Sequence, residues 1–185
     1  SVNANDIQVD ATVVRTTGVQ SIADEKTFTG LVKMTDRLEL NDSLNNCFTG
    51  FNSGNQNTTG SFNTSSGHRA LFFNTSGTSN TVFGHDALLY NTTGSYGLAL
   101  GYIAGRGTSD PAINNTTSSN SIFLGGNTKA NLDGETNQIV IGDSAIGKGS
   151  NKVVLGNDNI TDTYLKGHIR GNSAATFASS LTAVG

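Results

Sequence analysis

The sequence predicts an all-β fold of stacked β-roll or β-helix-like coils with a 17-residue repeat, flanked by connectors of short strands. Three observations predict it. Gly50, Gly67, Gly84 and Gly101 recur at one constant step, and Gly125, Gly142 and Gly156 continue the series with a single long step before Gly125 and a short one before Gly156. Each of the later glycines closes a short apolar or β-branched run, as in Thr81-Val-Phe-Gly84, Leu98-Ala-Leu-Gly101 and Ile139-Val-Ile-Gly142. Helix formers nowhere cluster at 3.6-residue spacing, and 23 of the 185 residues are Gly. A fixed period means like units stacked in a line, a rod and not a pocketed globule.

Composition narrows the classes. Charged residues are 14% of the chain, against about 25% in ordinary soluble domains. The net charge is −3 with Lys and Arg scattered, which leaves no electrostatic footprint for nucleic acid or an anionic membrane. Spanning a bilayer as a helix takes about 20 consecutive apolar residues. No apolar run here approaches that length, so no membrane insertion is expected. Val, Ile, Thr and Phe recur at fixed offsets, which favours order over disorder. A hydrophobic content of 35% is thin for a lone rod, whose surface-to-volume ratio is high. Association of several chains is therefore expected.

Taken in order, residues 1–40 read as a connector. Ala11-Thr-Val-Val-Arg-Thr-Thr-Gly18 is a strand ending in a turn, Ala23-Asp-Glu-Lys26 a second turn, and Thr27-Phe-Thr-Gly30 a short strand. Residues 31–40 alternate around Val32, Met34 and Leu38. Residues 41–159 hold the repeat. Within each unit the residues three and one before the Gly share a face: Leu98/Leu100, Ile122/Leu124, Ile139/Ile141 and Val153/Leu155. The residue between them (Ala99, Phe123, Val140 or Val154) faces the other way. Both faces are apolar, as suits a strand packed within its coil and against another chain. Thr64/Ser66 replaces the aliphatic pair, so residues 60–67 are expected to be the weakest part of the stack. Cys47 shares the phase of Thr64 and Thr81 and is the single cysteine; no internal disulfide is possible, and a small buried residue is expected.

Ten residues after the Gly comes a corner: Asn57-Thr-Thr-Gly60, Asn74-Thr-Ser-Gly77 and Asn91-Thr-Thr-Gly94. Its Gly is expected to supply the positive φ of a turn. Ala70, Ala87, Ala104 and Ala145 recur three residues after the repeat Gly, where a small side chain suggests close backbone approach. Over 106–119 the rhythm breaks, with seven added residues and the single proline. Insertions of this kind become loops on one face of a solenoid, often the binding face. From 160 to 185 the chain is again connector-like, with Tyr164-Leu-Lys-Gly167 and Ala175-Thr-Phe-Ala-Ser-Ser-Leu181 as candidate strands.

The units Asn-Ser/Thr followed by three mostly apolar residues and Gly-x-x-Ala resemble the head repeats of YadA-like trimeric adhesins. Those with Asn-Thr-Thr-Gly corners are similar to repeats in bacteriophage tail fibres and related bacterial fibres. Residues Val13 to Gly30 resemble a motif of phage fibre shafts. Residues Gly156-Asn-Asp-Asn-Ile-Thr-Asp-Thr-Tyr-Leu-Lys-Gly167 resemble the segment that often precedes a self-cleaving C-terminal chaperone. The resemblance implies a homotrimer, hence a trimeric fibre, located outside the cell as a virion tail fibre or bacterial surface fibre. It also implies attachment to a cell-surface glycan or an outer-membrane protein.

Two places could carry that contact. One is the insertion, with Arg106, Asp110, Asn114 and Asn115 able to bond sugar hydroxyls or a peptide. The other is a face where Phe51, His68, His85 and Tyr102 each follow the repeat Gly, with Tyr90 and Tyr96 nearby. Successive coils should stack these four rings about 4.8 Å apart, and aromatic faces suit weak sugar binding. Two stacked imidazoles could hold a metal, but His here substitutes for Phe and Tyr, so a ring column with no metal and no cofactor is the expectation. Asp86, Asp110, Asp133, Glu135 and Asp143 fall at turn-like positions and read as solvated corners. No catalytic pair stands out, so non-catalytic adhesion is expected. A polysaccharide-degrading spike and a purely structural shaft spacer are the alternatives.

Overall fold

A computed structural model describes residues 43–164 and 166. The connector expected over 1–40 lies outside the described residues, as does that expected over 160–185 except for 160–164 and 166, which hold no strand; the described residues all fall within one compact unit, Glu39–Gly185. Among the described residues seven strands form one parallel sheet in chain order: β1 (Cys47–Thr49), β2 (Thr64–Ser66), β3 (Thr81–Phe83), β4 (Leu98–Leu100), β5 (Ile122–Leu124), β6 (Ile139–Ile141) and β7 (Val153–Leu155). The register is that of the repeat: Thr64 pairs with Thr81, Thr81 with Leu98, and Leu98 with Ile122 across the long step. The chain is a β-solenoid of stacked coils, all-β over the described residues. Hydrogen bonds join the coils outside the strands as well, for example from Asp86 N–H to His68 O and from Ile103 N–H to His85 O.

The coil turns because left-handed residues recur at fixed phase. The repeat glycines have φ between 87° and 137°. Two residues later the chain is left-handed again, at Asn52, Arg69, Asp86, Ile103, Asn127 and Ser144. A third position lies two residues before each strand, at Asn45, Phe62, Ser79, Tyr96, Asn120, Asn137 and Asn151. Asn and Asp tolerate this conformation, whereas a β-branched residue is strained in it. Ile103, at φ 50°, is half-buried and stands where its neighbours are mostly polar. Ile103→Asn should therefore raise stability by roughly 0.5–1 kcal/mol, read as a higher urea midpoint at unchanged slope.

The repeat Gly has a second cause. A Cβ on Gly67 would lie 2.6 Å from Gly84 O, and one on Gly84 would overlap Gly101 O. The glycines thus form a column in which each backbone rests on the next. At the corners the reason differs from the one expected. Gly60, Gly77 and Gly94 are not among the positive-φ residues; a Cβ on Gly60 would overlap Gly77 O, and one on Gly77 would overlap Gly94 O. Close stacking, not turn handedness, requires glycine there. The corner Asn side chains hold the turn, with Asn57, Asn74 and Asn91 Nδ2 donating to Gly60, Gly77 and Gly94 O at 2.8, 2.9 and 2.9 Å. They also bond one another from coil to coil.

The core lies inside the coil. The middle residue of each strand points inward, and Ser65, Val82, Ala99, Phe123 and Val140 are buried. Inward volumes compensate within and between coils: Ser65 and Val82 accompany Leu71 and Leu88 four residues after the Gly, Phe48 accompanies Gly54, and small Ala99 and Gly105 leave room for the Phe123 ring of the following coil. Cβ atoms on Gly54 and Gly105 would collide with the rings of Phe48 and Phe123. Ala70, Ala87, Ala104 and Ala145 are buried as their phase suggested. A second set of asparagines is interior. The Oδ1 of Asn46, Asn63 and Asn80 accepts from the N–H of Asn63, Asn80 and Gly97, so each buried amide ties two coils.

The outward pair corrects two expectations. Thr64 and Ser66 face out, so they do not weaken the core; the polar inward residue of that coil is Ser65, whose hydroxyl lies 2.6 Å from that of Ser53. Cys47 is half-buried on the outward phase and is not a core residue. Leu100, Val153 and Leu155 remain 46%, 62% and 50% exposed. A single chain therefore buries the strands on one face only.

Asp133 shows how a carboxylate replaces a corner hydrogen bond. It accepts from Thr116 N–H at 2.7 Å, from Thr117 N–H at 2.9 Å and from the Thr116 hydroxyl. Partial burial pushes its pKa up, but these donors outweigh that, and the carboxyl is held below its ordinary value. A depressed folded-state pKa adds stability above the unfolded value, about 3.9, and that stability is lost as pH falls through the folded value. Asp133→Asn should therefore lower stability at pH 7, with the difference from wild type closing below about pH 3.9. Urea unfolding from pH 7 to pH 2.5 checks it.

Candidate functional site

Two features stand out on the side of the stack. The first is the ring column. Phe51 and His68 stack at 5.7 Å between centroids, His68 and His85 at 4.7 Å, and His85 and Tyr102 at 5.4 Å. All four are exposed, Phe51 and Tyr102 by 71% and 62%. One residue further along each coil, Arg69 and Asp86 occupy the same phase on successive turns. Arg69 grips Asp86 with two bonds, Nε to Oδ1 at 2.9 Å and Nη2 to Oδ2 at 2.6 Å. That hydrogen bond raises the Arg69 guanidinium above its ordinary pKa.

Asp86 is buried, not the solvated corner that its turn-like position suggested. Its carboxylate is the centre of a cluster: His68 Nδ1 and His85 Nδ1 lie 3.8 and 3.5 Å from Oδ1, and Arg106 Nη1 lies 3.7 Å from Oδ2. The signal is present in the sequence as opposite charges, Arg69 and Asp86, at one phase of successive repeats. His68, His85 and Asp86 offer three ligand atoms within 4.8 Å of one another, close enough for a divalent ion. Both Asp86 oxygens, however, already face Arg69, and a bound dication would sit beside that guanidinium. The cluster is built to hold side chains in place.

The second feature is the insertion. Gly107 and Asn114 form an antiparallel bridge, the neck of a small hairpin. Thr108 is buried inside it and its hydroxyl donates to Asp110 O and Ile113 O, both at 3.1 Å. Asp110 Oδ1 accepts from Ala112 N–H at 2.9 Å and so holds the turn around Pro111. Beyond the neck, Asn115-Thr-Thr-Ser118 takes the place of a corner, with Thr92 N–H donating to Thr116 O as Thr75 N–H does to Thr92 O. Asn115 is buried, with Nδ2 donating to Gly105 O at 2.9 Å, so it is no surface ligand group. The projecting part is Gly107 to Asn114, shorter than the 106–119 loop expected.

Between this hairpin and the coil wall lies a cleft of about 240 Å³. It joins Arg106, Asp110 and Asn114 of the insertion to Tyr90, Asn127 and Lys129 of the neighbouring coils. Tyr90 belongs here and not to the ring column; one face of it stacks on Phe73 at 5.6 Å. Tyr96 is exposed and in neither group. Sequence reasoning missed Asn127 and Lys129, which sit one coil after the break.

The fold and its lateral features define a β-solenoid repeat protein with an exposed ring column and a cleft at its long coil. Residues 9–32 match the family model described as the lower baseplate protein N-terminal domain, which points to a component of a phage tail or baseplate. Those residues lie outside the described ones. No curated protein and no solved structure matches the chain. Among the described residues no helix is long and apolar enough to cross a membrane.

Proposed function

We propose that the chain is a segment of a homotrimeric virion fibre that attaches to a cell surface without catalysis. The observation that carries this reading is the cleft at the break in the stack, a concave, polar and aromatic site displayed on the flank of the coils. The baseplate-type match over residues 9–32 supports a tail location. The half-exposed stripe of Leu100, Val153 and Leu155 supports association, because covering it removes apolar surface from water. Three copies would present three equivalent sites, and weak contacts then gain through effective concentration. The receptor in this reading is a surface glycan or an outer-membrane protein; nucleic acid, membrane insertion and cofactors play no part. The likeness to YadA-type heads, and a chaperone following the Tyr164-Leu-Lys-Gly167 segment, belong to the same proposal.

Sedimentation equilibrium of the intact chain, followed by a pull-down on whole cells, tests it. A trimer retained by cells is the expected result. A stable monomer would remove the oligomeric fibre, and a trimer that no cell surface retains would leave a structural shaft.

A further inference from the structure

We propose that the cleft between Tyr90 and the Gly107–Asn114 hairpin binds a negatively charged saccharide, with a sugar ring against Tyr90 and its carboxylate or phosphate between Arg106 and Lys129. The inference rests on the attachment reading and names the chemical class of its ligand. Four observations converge. The phase occupied by Phe73 and Tyr90 is filled in the next coil by the hairpin neck, Gly107 and Asn114, so among the described residues the Tyr90 ring stacks on Phe73 with no ring following it, and it lines the cleft. An aromatic ring in the wall of a cleft suits the apolar face of a sugar.

The charge of the cleft is positive. Arg106 and Lys129 stand against one lining carboxylate, Asp110, whose Oδ1 accepts from Ala112 N–H. Arg106 is 40% exposed and pairs with Asp86 through Nη1 at 3.7 Å, a carboxylate that Arg69 holds with two shorter bonds, so the Arg106 guanidinium keeps further N–H donors for a second anion. Lys129 forms no ion pair among the described residues. A guanidinium fork and an ammonium lining one cleft match a carboxylate or phosphate group. Asn114 and Asn127 line the same cleft and supply amide donors and acceptors for sugar hydroxyls.

Isothermal titration of the full chain tests the inference with a galacturonic acid tetrasaccharide, a phosphorylated tetrasaccharide and a neutral galactose tetrasaccharide. At least one acidic probe should bind about tenfold or more tighter than the neutral one, since hydrogen bonds to charged groups are worth ~1.5–3 kcal/mol. Its affinity should fall as salt is raised. Which acidic probe binds distinguishes carboxylate from phosphate. R106Q and K129Q should each weaken binding about tenfold, and Tyr90→Ala should weaken all sugar binding. Lys148→Gln, outside the cleft, should change nothing, and circular dichroism of each variant checks that the coils persist. Equal binding of the neutral and acidic probes overturns the inference. So does cell retention without binding of either acid, a result that leaves the attachment reading standing. Failure of both cells and saccharides to bind overturns the two together.

Discussion

Gly84→Ala should destabilise the stack by about 2–5 kcal/mol, combining the strain of a left-handed L-residue with overpacking against backbone. Gly84 has φ +133°, and a Cβ there would overlap the Gly101 carbonyl oxygen. The neighbouring coil cannot yield by a rotamer change, because what the methyl meets is main chain. Gly107→Ala provides the internal control. Gly107 is not left-handed, and a Cβ there would meet only Ile113 O, at 3.9 Å. Its stability should stay within about 0.5 kcal/mol of wild type. Paired urea or thermal unfolding of the two variants checks the column argument. Similar costs at the two glycines would show that the repeat Gly is a matter of composition and not of stacking.

Phe123→Ala should cost about 3–5 kcal/mol, the range for removing a buried aromatic side chain. Phe123 is 1% exposed, the largest of the fully buried side chains among the described residues. It sits in the first coil after the insertion, packed towards Leu88 and the bare backbone of Gly105. Ala99, its strand neighbour at the same phase, is too small to fill the space that truncation would leave. The interior is narrow, so little can collapse into the cavity. Equilibrium unfolding reads the cost, and a loss below about 1 kcal/mol would mean that the coil interior is not packed as described.

The repeat is legible because a solenoid writes its geometry into the sequence as a period. The constant step between glycines sets the register, and the ring column of Phe51, His68, His85 and Tyr102 follows from phase alone. Which strand face points inward is not legible. Cys47, Thr64 and Ser66 look like core because aliphatic residues fill their phase in later coils; that apolar stripe is the outer one. The corner glycines look like turn formers, where the cause is an atom of the adjacent coil, invisible to local reading. Asp86 looks like a solvated corner because one coil alone does not show that Arg69 lies beside it. In the insertion, Arg106, Asp110 and Asn114 do come together. Asn115 is instead the corner of the next half-coil, and the signal for it is the match of Asn115-Thr-Thr-Ser118 to Asn91-Thr-Thr-Gly94. Lys129 and Asn127 are out of reach, since nothing in the sequence says which side of a neighbouring coil a hairpin leans against.

The regular coils account for the stack, and the long coil accounts for its cleft. Deleting residues 107–113 removes the added seven residues and restores the constant step between Gly101 and the next repeat Gly. Asn114 and Asn115 then fall where Tyr90 and Asn91 stand in the coil before, so the stack can close without the hairpin. Cell retention by this shortened chain, measured beside its thermal unfolding, is the most direct test. The account predicts a folded stack, with its unfolding temperature within about 5 °C of wild type, that no longer holds cells. Undiminished retention would contradict the placement of recognition at the break, and loss of the folded stack would contradict the coil register itself.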